Sequence, residues 1–434
     1  MSVTLYIEST DHEGQGIARN DGKTVFVEGG LTGETVVARI TRSKPNYDKA
    51  TVEQVLQPSP FRVTPACPHF GVCGGCSMQH LDARAQVAAK QRVLEDNFQH
   101  IGNVKAEQML PPVEGPHWGY RHRARLSVRY VAKKGGVLVG FHEKRSSYVA
   151  DMRECRVLPT AVSNLLVPLR ALVESLAIRD RAPQIEYAEG DGLPMLVLRH
   201  LEPVGDADLA RLREFAAAHK VQWYLQPKGP ETAHPLPDEA HTLGYELAEF
   251  GLRYRFQPTE FTQVNPHINA MLVRRAIRLL ELRSDDRVGD LFCGLGNFTL
   301  PIAQRVAFTY GVEGSASLIA RAHENAAENG LADRVDFAVA NLFEIADDWF
   351  DTLPRLNKLL IDPPRDGALQ VVKALPTAAS GRLERLVYVS CSPSTLARDA
   401  AILIHEKGYR LVGAGVANMF PHTAHVESIA LFVP

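Results

Sequence analysis

From about residue 265 onward the chain alternates β-branched apolar runs with helical segments, and this rhythm restricts the fold more than any other feature. Strand patterns at 288–292, 308–312, 334–339, 358–361 and 385–390 are separated by helical stretches. One of these is opened by Ser315 and stopped at Asn329-Gly330. Such alternation predicts a parallel sheet with helices on both faces. The last two runs, 409–415 and 428–433, leave no room between them for a crossover helix, so that pair is expected to be antiparallel.

The remainder of the chain reads differently. Residues 1–57 hold short strand patterns at 3–8, 24–27, 34–42 and 49–56, punctuated by Asp21-Gly22, Gly29-Gly30 and Thr32-Gly33. Four or five strands of this kind close into a small barrel. A proline-containing linker follows, then a helix expected over 82–98. Residues 120–260 alternate strands (124–131, 137–142, 195–199, 222–225, 252–256) with one helix near 161–176, an α+β pattern. With 434 residues, 45% hydrophobic, 23% charged and a formal net charge of -2, the chain suits a soluble protein of several domains. Its overall charge carries no nucleic-acid signal. No basic-then-apolar leader and no run of 18 apolar residues is present, so no signal peptide or membrane span is expected, and the location expected is cytoplasmic.

Three motifs fall where strands of the C-terminal domain end. Asp290-Leu291-Phe292-Cys293-Gly294-Leu295-Gly296-Asn297 is a buried strand running into a glycine-rich turn, where backbone can approach a ligand closely. Glu313 ends the next strand, at the position where a carboxylate accepts hydrogen bonds from both ribose hydroxyls. The missing third glycine and the antiparallel last strand favour S-adenosylmethionine over a dinucleotide. Asp362-Pro363-Pro364-Arg365 follows another strand of the same sheet. Cys391 follows the next one. A free cysteine is most often a small buried hydrophobe, but this one leaves the same edge as Gly294 and Asp362. A thiolate there suits methylation at C5 of uracil: addition at C6 places electron density on C5, and a base must afterwards remove the C5 proton. Glu427, at the start of the last strand, is the carboxylate placed for that step.

The other cysteines form a separate group. Cys67, Cys73 and Cys76 are crowded together, with Cys155 as a distant fourth. Four thiolates suit either zinc or an iron–sulfur cluster; only one C-x2-C pair is present where zinc sites commonly have two, which tilts the reading toward iron–sulfur. Between 115 and 160 stand ten Lys/Arg against three acids, interleaved with Trp118, Tyr120, Tyr130, Phe141 and Tyr148. Arginines and aromatics together suit phosphate contacts and base stacking on single-stranded RNA. The barrel, with six Lys/Arg and eight acids, shows no such excess.

These motifs together resemble the RNA uracil-C5 methyltransferases, along nearly the whole chain. His12-Glu13-Gly14-Gln15-Gly16-Ile17-Ala18-Arg19 is similar to the family's TRAM barrel, the run 73–80 with Cys67 and Cys155 to its four-cysteine motif, and the run 390–399 to its nucleophile motif. The resemblance implies a class I methyltransferase domain with a Rossmann-like α/β sheet at 263–434, a TRAM barrel at 1–58, and an α+β central RNA-binding domain at 59–262 whose helix near 80–110 packs on the catalytic domain. It implies Cys391 as nucleophile and Glu427 as proton acceptor. Gln263, Phe292, Asn297, Glu313, Asn341 and Asp362 would contact S-adenosylmethionine, and Cys67, Cys73, Cys76 and Cys155 would hold a [4Fe-4S] cluster. Having both barrel and cluster points to the branch that acts on large-subunit (23S) ribosomal RNA, as a monomer. The competing expectations are the same chemistry on transfer RNA, the same chemistry on cytosine, and a non-catalytic RNA-binding adaptor.

Overall fold

The computed structural model describes residues 1–434. Its first five strands, β1 (Ser2–Thr10), β2 (Gly16–Asn20), β3 (Lys23–Glu28), β4 (Thr35–Ser43) and β5 (Tyr47–Gln57), close a barrel in the order β1-β2-β3-β5-β4. Alternate residues point inward, and Leu5, Ile7, Val25, Val27 and Val36 lead a core of eight buried side chains. Strand β2 was not among the sequence patterns because Gly-Ile-Ala-Arg-Asn has little β propensity. It pairs with β3 through Asp21 and Gly22, both at positive φ (48° and 81°), as a tight hairpin turn requires. At Gly16 a Cβ would lie 2.8 Å from Ile7 Cγ2 and 3.0 Å from the Gly30 carbonyl oxygen, so this close approach of backbones needs glycine.

The barrel is tied to the rest by ions. Glu34, fully buried, accepts hydrogen bonds from Arg62 Nε (2.5 Å), Leu31 N (2.9 Å) and Ser59 N (3.1 Å). Burial alone would raise its carboxyl pKa, but the Arg62 guanidinium and the two backbone donors outweigh that and hold it below the ordinary value. Glu28 pairs with Lys144 (2.5 Å) and Arg145 (3.2 Å) of the central domain.

Helix α1 (Ala83–Asn97) starts at Asp82, whose carboxylate accepts from Arg84 N and Ala85 N. It continues into a π-helical turn at Phe98–Gly102. Val87, Leu94 and Phe98 enter the same hydrophobic cluster as the C-terminal sheet, and β6 (Gln108–Met109) joins that sheet's edge. The central sheet contains β7 (Arg123–Val131), β8 (Gly136–Gly140), β9 (Gln184–Ala188), β10 (Met195–Arg199), β11 (Gln222–Gln226) and β12 (His234–Pro235), in the order β12-β11-β10-β9-β7-β8. The helix expected near 161–176 is divided into α2 (Thr160–Ser163) and α3 (Leu166–Ser175). A further helix, α4 (Asp206–His219), lies outside the expected pattern; it buries only Asp208, Leu212 and Phe215, too sparse a face to announce itself. The hairpin β13 (Leu243–Leu247) and β14 (Leu252–Phe256) packs Leu247, Leu252 and Phe256 against the C-terminal domain.

That domain begins with α5 (Pro266–Leu280), capped by the Asn265 side chain and started by proline, whose missing N–H costs nothing there. Then follow β15 (Arg287–Leu291), α6 (Thr299–Ala303), β16 (Phe308–Glu313), α7 (Ala316–Glu328), β17 (Val335–Val339), β18 (Lys358–Ile361), α8 (Leu369–Ala374), β19 (Arg385–Ser390), α9 (Pro393–Ala401), β20 (Arg410–Ala417) and β21 (Glu427–Val433). The sheet order is β17-β16-β15-β18-β19-β21-β20-β6. Strands β15 to β19 are mutually parallel, and β21 runs antiparallel to both β19 and β20. Strand order reverses between β15 and β18, the place where open α/β sheets form a crevice at the carboxyl ends of their strands. Two hydrophobic clusters of 38 and 32 buried residues cover the sheet's faces.

Replacing Glu34 by Ala removes the carboxylate from three donors and leaves Arg62 unpaired. A loss of about 3 kcal/mol of stability is expected, with faster protease cleavage between the barrel and α1. An unchanged melting curve and cleavage pattern would contradict this.

Candidate active site

The crevice between β15 and β18 is built by backbone that leaves ordinary strand geometry. Phe292 adopts φ +63°, which ends β15 one residue sooner than its apolar pattern implies. Gly294 and Gly296 follow at +56° and +94°. Glu313, at the end of β16, accepts from Gly294 N (3.2 Å) with one oxygen and from Ser315 N (3.0 Å) with the other. Both oxygens keep lone pairs for further donors. The Phe292 ring packs against Phe343, centroids 5.6 Å apart, and forms one wall. Asn341 is exposed beyond β17 and caps its own turn by accepting from Phe343 N. Gln263 is half-buried in the segment between β14 and α5. That segment is held to the central domain by His122 N donating to the Val264 carbonyl (2.8 Å) and Arg123 donating to the Pro258 carbonyl (2.8 Å).

Asn297 does something the sequence did not reveal. Its amide pairs reciprocally with that of Asn269 on α5 (2.9 and 3.0 Å) and accepts from the Tyr245 hydroxyl (2.9 Å). The side chain is therefore committed to fixing the glycine turn against α5 and β13. Asp290 was also passed over. It is fully buried beneath the turn, and one oxygen accepts from the Thr299 hydroxyl at 2.5 Å while the other has no partner. Burial pushes its carboxyl up to about 7; the Thr299 hydrogen bond opposes this, and the charges of Asp362 and Glu313 reinforce it.

At the same edge, sheet register brings the nucleophile and base candidates together. Asp362 follows β18, and Ile361 pairs with Tyr388 of β19. Ser390 pairs with Ser428 of β21 antiparallel, so the next step along the ladder sets Cys391 across from Glu427. Cys391 is half-buried, while Glu427 is 3% exposed. Burial, then the carboxylates of Glu427 and Asp362, push the Cys391 thiol up to about 11, with the Arg365 guanidinium pulling the other way. Burial raises Asp362 to about 7, and burial together with Asp362 raises Glu427 well above its ordinary value. Arg365 also approaches His425 Nδ1 (3.5 Å).

The loop carrying Asp362 and the helix following Cys391 are locked by Asp399. Its buried carboxylate accepts from Ala368 N (2.7 Å), the Tyr388 hydroxyl (2.7 Å) and Arg398 Nε (2.8 Å). At Gly367, φ +78°, a Cβ would fall within 2.9 Å of Arg398, Asp399 and Thr395 atoms, so only glycine lets the two segments meet.

Cys67, Cys73, Cys76 and Cys155 line one small cavity walled by Phe70, Phe141, Met152 and Val157, and none is in a disulfide. Burial raises the thiols of Cys73, Cys76 (to about 11) and Cys155 (to about 12). No three His, Cys, Asp or Glu side chains are placed to hold a single metal ion.

The basic group at 115–160 is smaller than its sequence count. Lys144 and Arg145 bind Glu28, Arg125 binds Glu186, Arg156 binds Glu154, Lys134 binds Glu143, and Arg123 is spent on backbone carbonyls. Tyr120 is buried and Trp118 stacks on His422, centroids 3.8 Å apart. Arg121, Arg129, Lys133 and Arg153 form no ion pair within the chain, and Tyr148 is 72% exposed. No helix is long and apolar enough to cross a membrane.

Comparison with known proteins gives a consistent set of matches. Residues 82–433 match the family model described as tRNA (Uracil-5-)-methyltransferase, and residues 2–52 match that of the TRAM domain. A 23S rRNA (uracil(1939)-C(5))-methyltransferase RlmD from Bordetella pertussis is 61% identical over 434 residues, covering 100% of this chain and 93% of the relative. The protein of the same name from Nitrosospira multiformis is 58% identical over 433 residues, covering 100% of this chain and 98% of the relative. Among solved structures, a Pyrococcus abyssi tRNA (uracil-54, C5)-methyltransferase in complex with S-adenosyl-L-homocysteine shares the fold. Its TM-score is 0.74 at 22% identity, over 99% of this chain and 100% of that one.

Asp290 provides a test of the site's electrostatics. An acid whose folded pKa is raised stabilises the fold fully below its unfolded pKa and loses that contribution as pH rises toward the folded value, here from 3.8 to about 7. Asp290→Asn does not titrate, so its stability relative to the parent should rise by about 2–3 kcal/mol between pH 5 and pH 8. A difference between the two melting curves that is constant with pH would contradict the assignment.

Proposed function

Because the chain belongs to the tRNA (uracil-5-)-methyltransferase family, we propose that it methylates C5 of a uridine in large-subunit ribosomal RNA, using Cys391 as nucleophile and Glu427 as base. The observation that carries the reading is the meeting of Cys391, Glu427 and Asp362 at one sheet edge, with the half-buried thiol beside the buried Glu427 and the half-buried Asp362. Ribosomal rather than transfer RNA is supported by relatives at 58–61% identity along the whole chain. The enzyme is read as a monomer, and a ribosomal substrate puts it in the cytoplasm.

Glu313 fits the ribose of S-adenosylmethionine, with lone pairs remaining on both carboxylate oxygens. Phe292, Gln263, Asn341 and Asp362 line the remainder of that site, and Asn297 contributes by anchoring the turn. The ligand supplies a methyl group on a sulfonium cation. A cation bound there would favour the ionised forms of the groups that burial holds high. Cys391 then adds to C6 of uracil, density moves to C5, and after methylation Glu427 removes the C5 proton so that Cys391 leaves. Arg129, Lys133 and Arg153 remain available for phosphates, and Tyr148 for stacking.

Cys67, Cys73, Cys76 and Cys155 are read as ligands of a [4Fe-4S] cluster. Support comes from four unpaired thiols lining one largely apolar cavity. When bound, the cluster would link the 67–76 loop to Cys155 at the foot of α2.

Cys391→Ala should lower turnover by roughly 10^4-fold or more while S-adenosylmethionine still binds, as calorimetry would show; retained turnover would overturn the mechanism. Protein prepared without oxygen should contain iron and sulfide that Cys155→Ser loses. Zinc alone in the parent protein would overturn the cluster.

A further inference from the structure

Glu427 is the first residue of β21, and residues 418–426 lead into it from β20 with no helix or strand of their own. His422 in this loop has φ +66°, a conformation that L side chains rarely adopt. Such a loop keeps its shape only if held from outside. Two residues one turn apart on α1 do this. Gln86, 1% exposed, accepts from His422 N (2.8 Å) through Oε1; its Nε2 lies 3.2 Å from His422 Nδ1 and donates to the carbonyl of Met78 (3.0 Å). Lys90, 2% exposed, donates to Asn418 Oδ1 (2.8 Å) and to the Phe420 carbonyl (2.8 Å). Both partners are neutral. A buried lysine without a carboxylate is a costly group to keep, and burial pushes its amine down to about 7; no step of the uracil chemistry uses it. From the opposite side, the His422 carbonyl accepts from Ser77 N and Met78 N (3.0 Å each), beside Cys76.

We propose that Gln86 and Lys90 are positioning residues for Glu427: by fixing residues 418–426 they set where its carboxylate meets C5 of the methylated adduct. The inference rests on the roles given above to Cys391 and Glu427. At that step the carboxylate takes the C5 proton, the C–H electron pair becomes the C5–C6 double bond, and the C6–S bond breaks with its pair returning to Cys391. Proton removal from carbon needs close approach of the base. A displaced loop therefore slows resolution of the adduct, while its formation by Cys391, carried between β19 and α9, continues.

The test is single-turnover methylation of a large-subunit ribosomal RNA fragment, following protein-linked RNA on denaturing gels. Lys90→Met keeps most of the side chain and removes the ammonium. Its adduct should form within about 2-fold of the parent rate but decay about 10- to 100-fold more slowly, so that linked RNA accumulates. Formation and decay slowed equally in Lys90→Met, or parent-like decay, would overturn the proposal. If Lys90→Met does not fold, Asn418→Leu removes the same contact from the loop side and is read in the same way. Glu427→Gln is the control on the underlying mechanism. If it accumulates adduct and the Lys90 variant does not, only the positioning role fails; if it accumulates none, the base assignment fails.

Discussion

The antiparallel return of β21 beside β19 is the constraint on which the site depends. Ser390 faces Ser428 in that ladder, and the Ser428 hydroxyl donates to the Ser390 carbonyl at 3.0 Å. The next pair outward is then Cys391 and Glu427. A slip of one residue would turn Glu427 to the other face of the sheet and end the meeting. Both strands are buried along their length, so the hydrophobic clusters on the two faces enforce the register. Chemistry at the edge is thus a consequence of packing in the core.

The same edge concentrates negative charge. Asp290, Glu313, Asp362 and Glu427 come from four strands or their ends, with Asp290 and Glu427 buried and Glu313 and Asp362 half-buried. Burial raises Asp290, Asp362 and Glu427 together, and Cys391 with them. An acidic pocket of this kind resists ionisation when empty and favours a cation when filled. At Cys391 the Arg365 guanidinium pulls the thiol down, and burial with the carboxyls outweighs it.

Much of this was legible in the sequence, and the exceptions have physical causes. The parallel sheet, its antiparallel end, and the strand-end positions of Glu313, Asp362, Cys391 and Glu427 follow from periodicity and punctuation, which local residues encode. Helix α4 and strand β2 were missed because their burial is sparse or their propensities weak. The partner of Asn297 could not be read, since Asn269 and Tyr245 reach it only in three dimensions. The basic excess at 115–160 was overcounted for the same reason: Glu28 and Glu186 lie far from their cations in sequence. Asp290 had a signal available, an acid in the middle of an apolar run directly before the glycine turn.

The central claim is that Cys391 bonds to C6 of a uridine. An RNA substrate with 5-fluorouridine at the target position tests it most directly, because C5 then carries fluorine in place of the proton that the base removes, and the adduct cannot resolve. After incubation with S-adenosylmethionine and digestion, mass spectrometry of the linked peptide should place a methylated fluorouridine on Cys391. A link to any other residue, or no link with an RNA that the enzyme methylates when it carries uridine, would contradict the account.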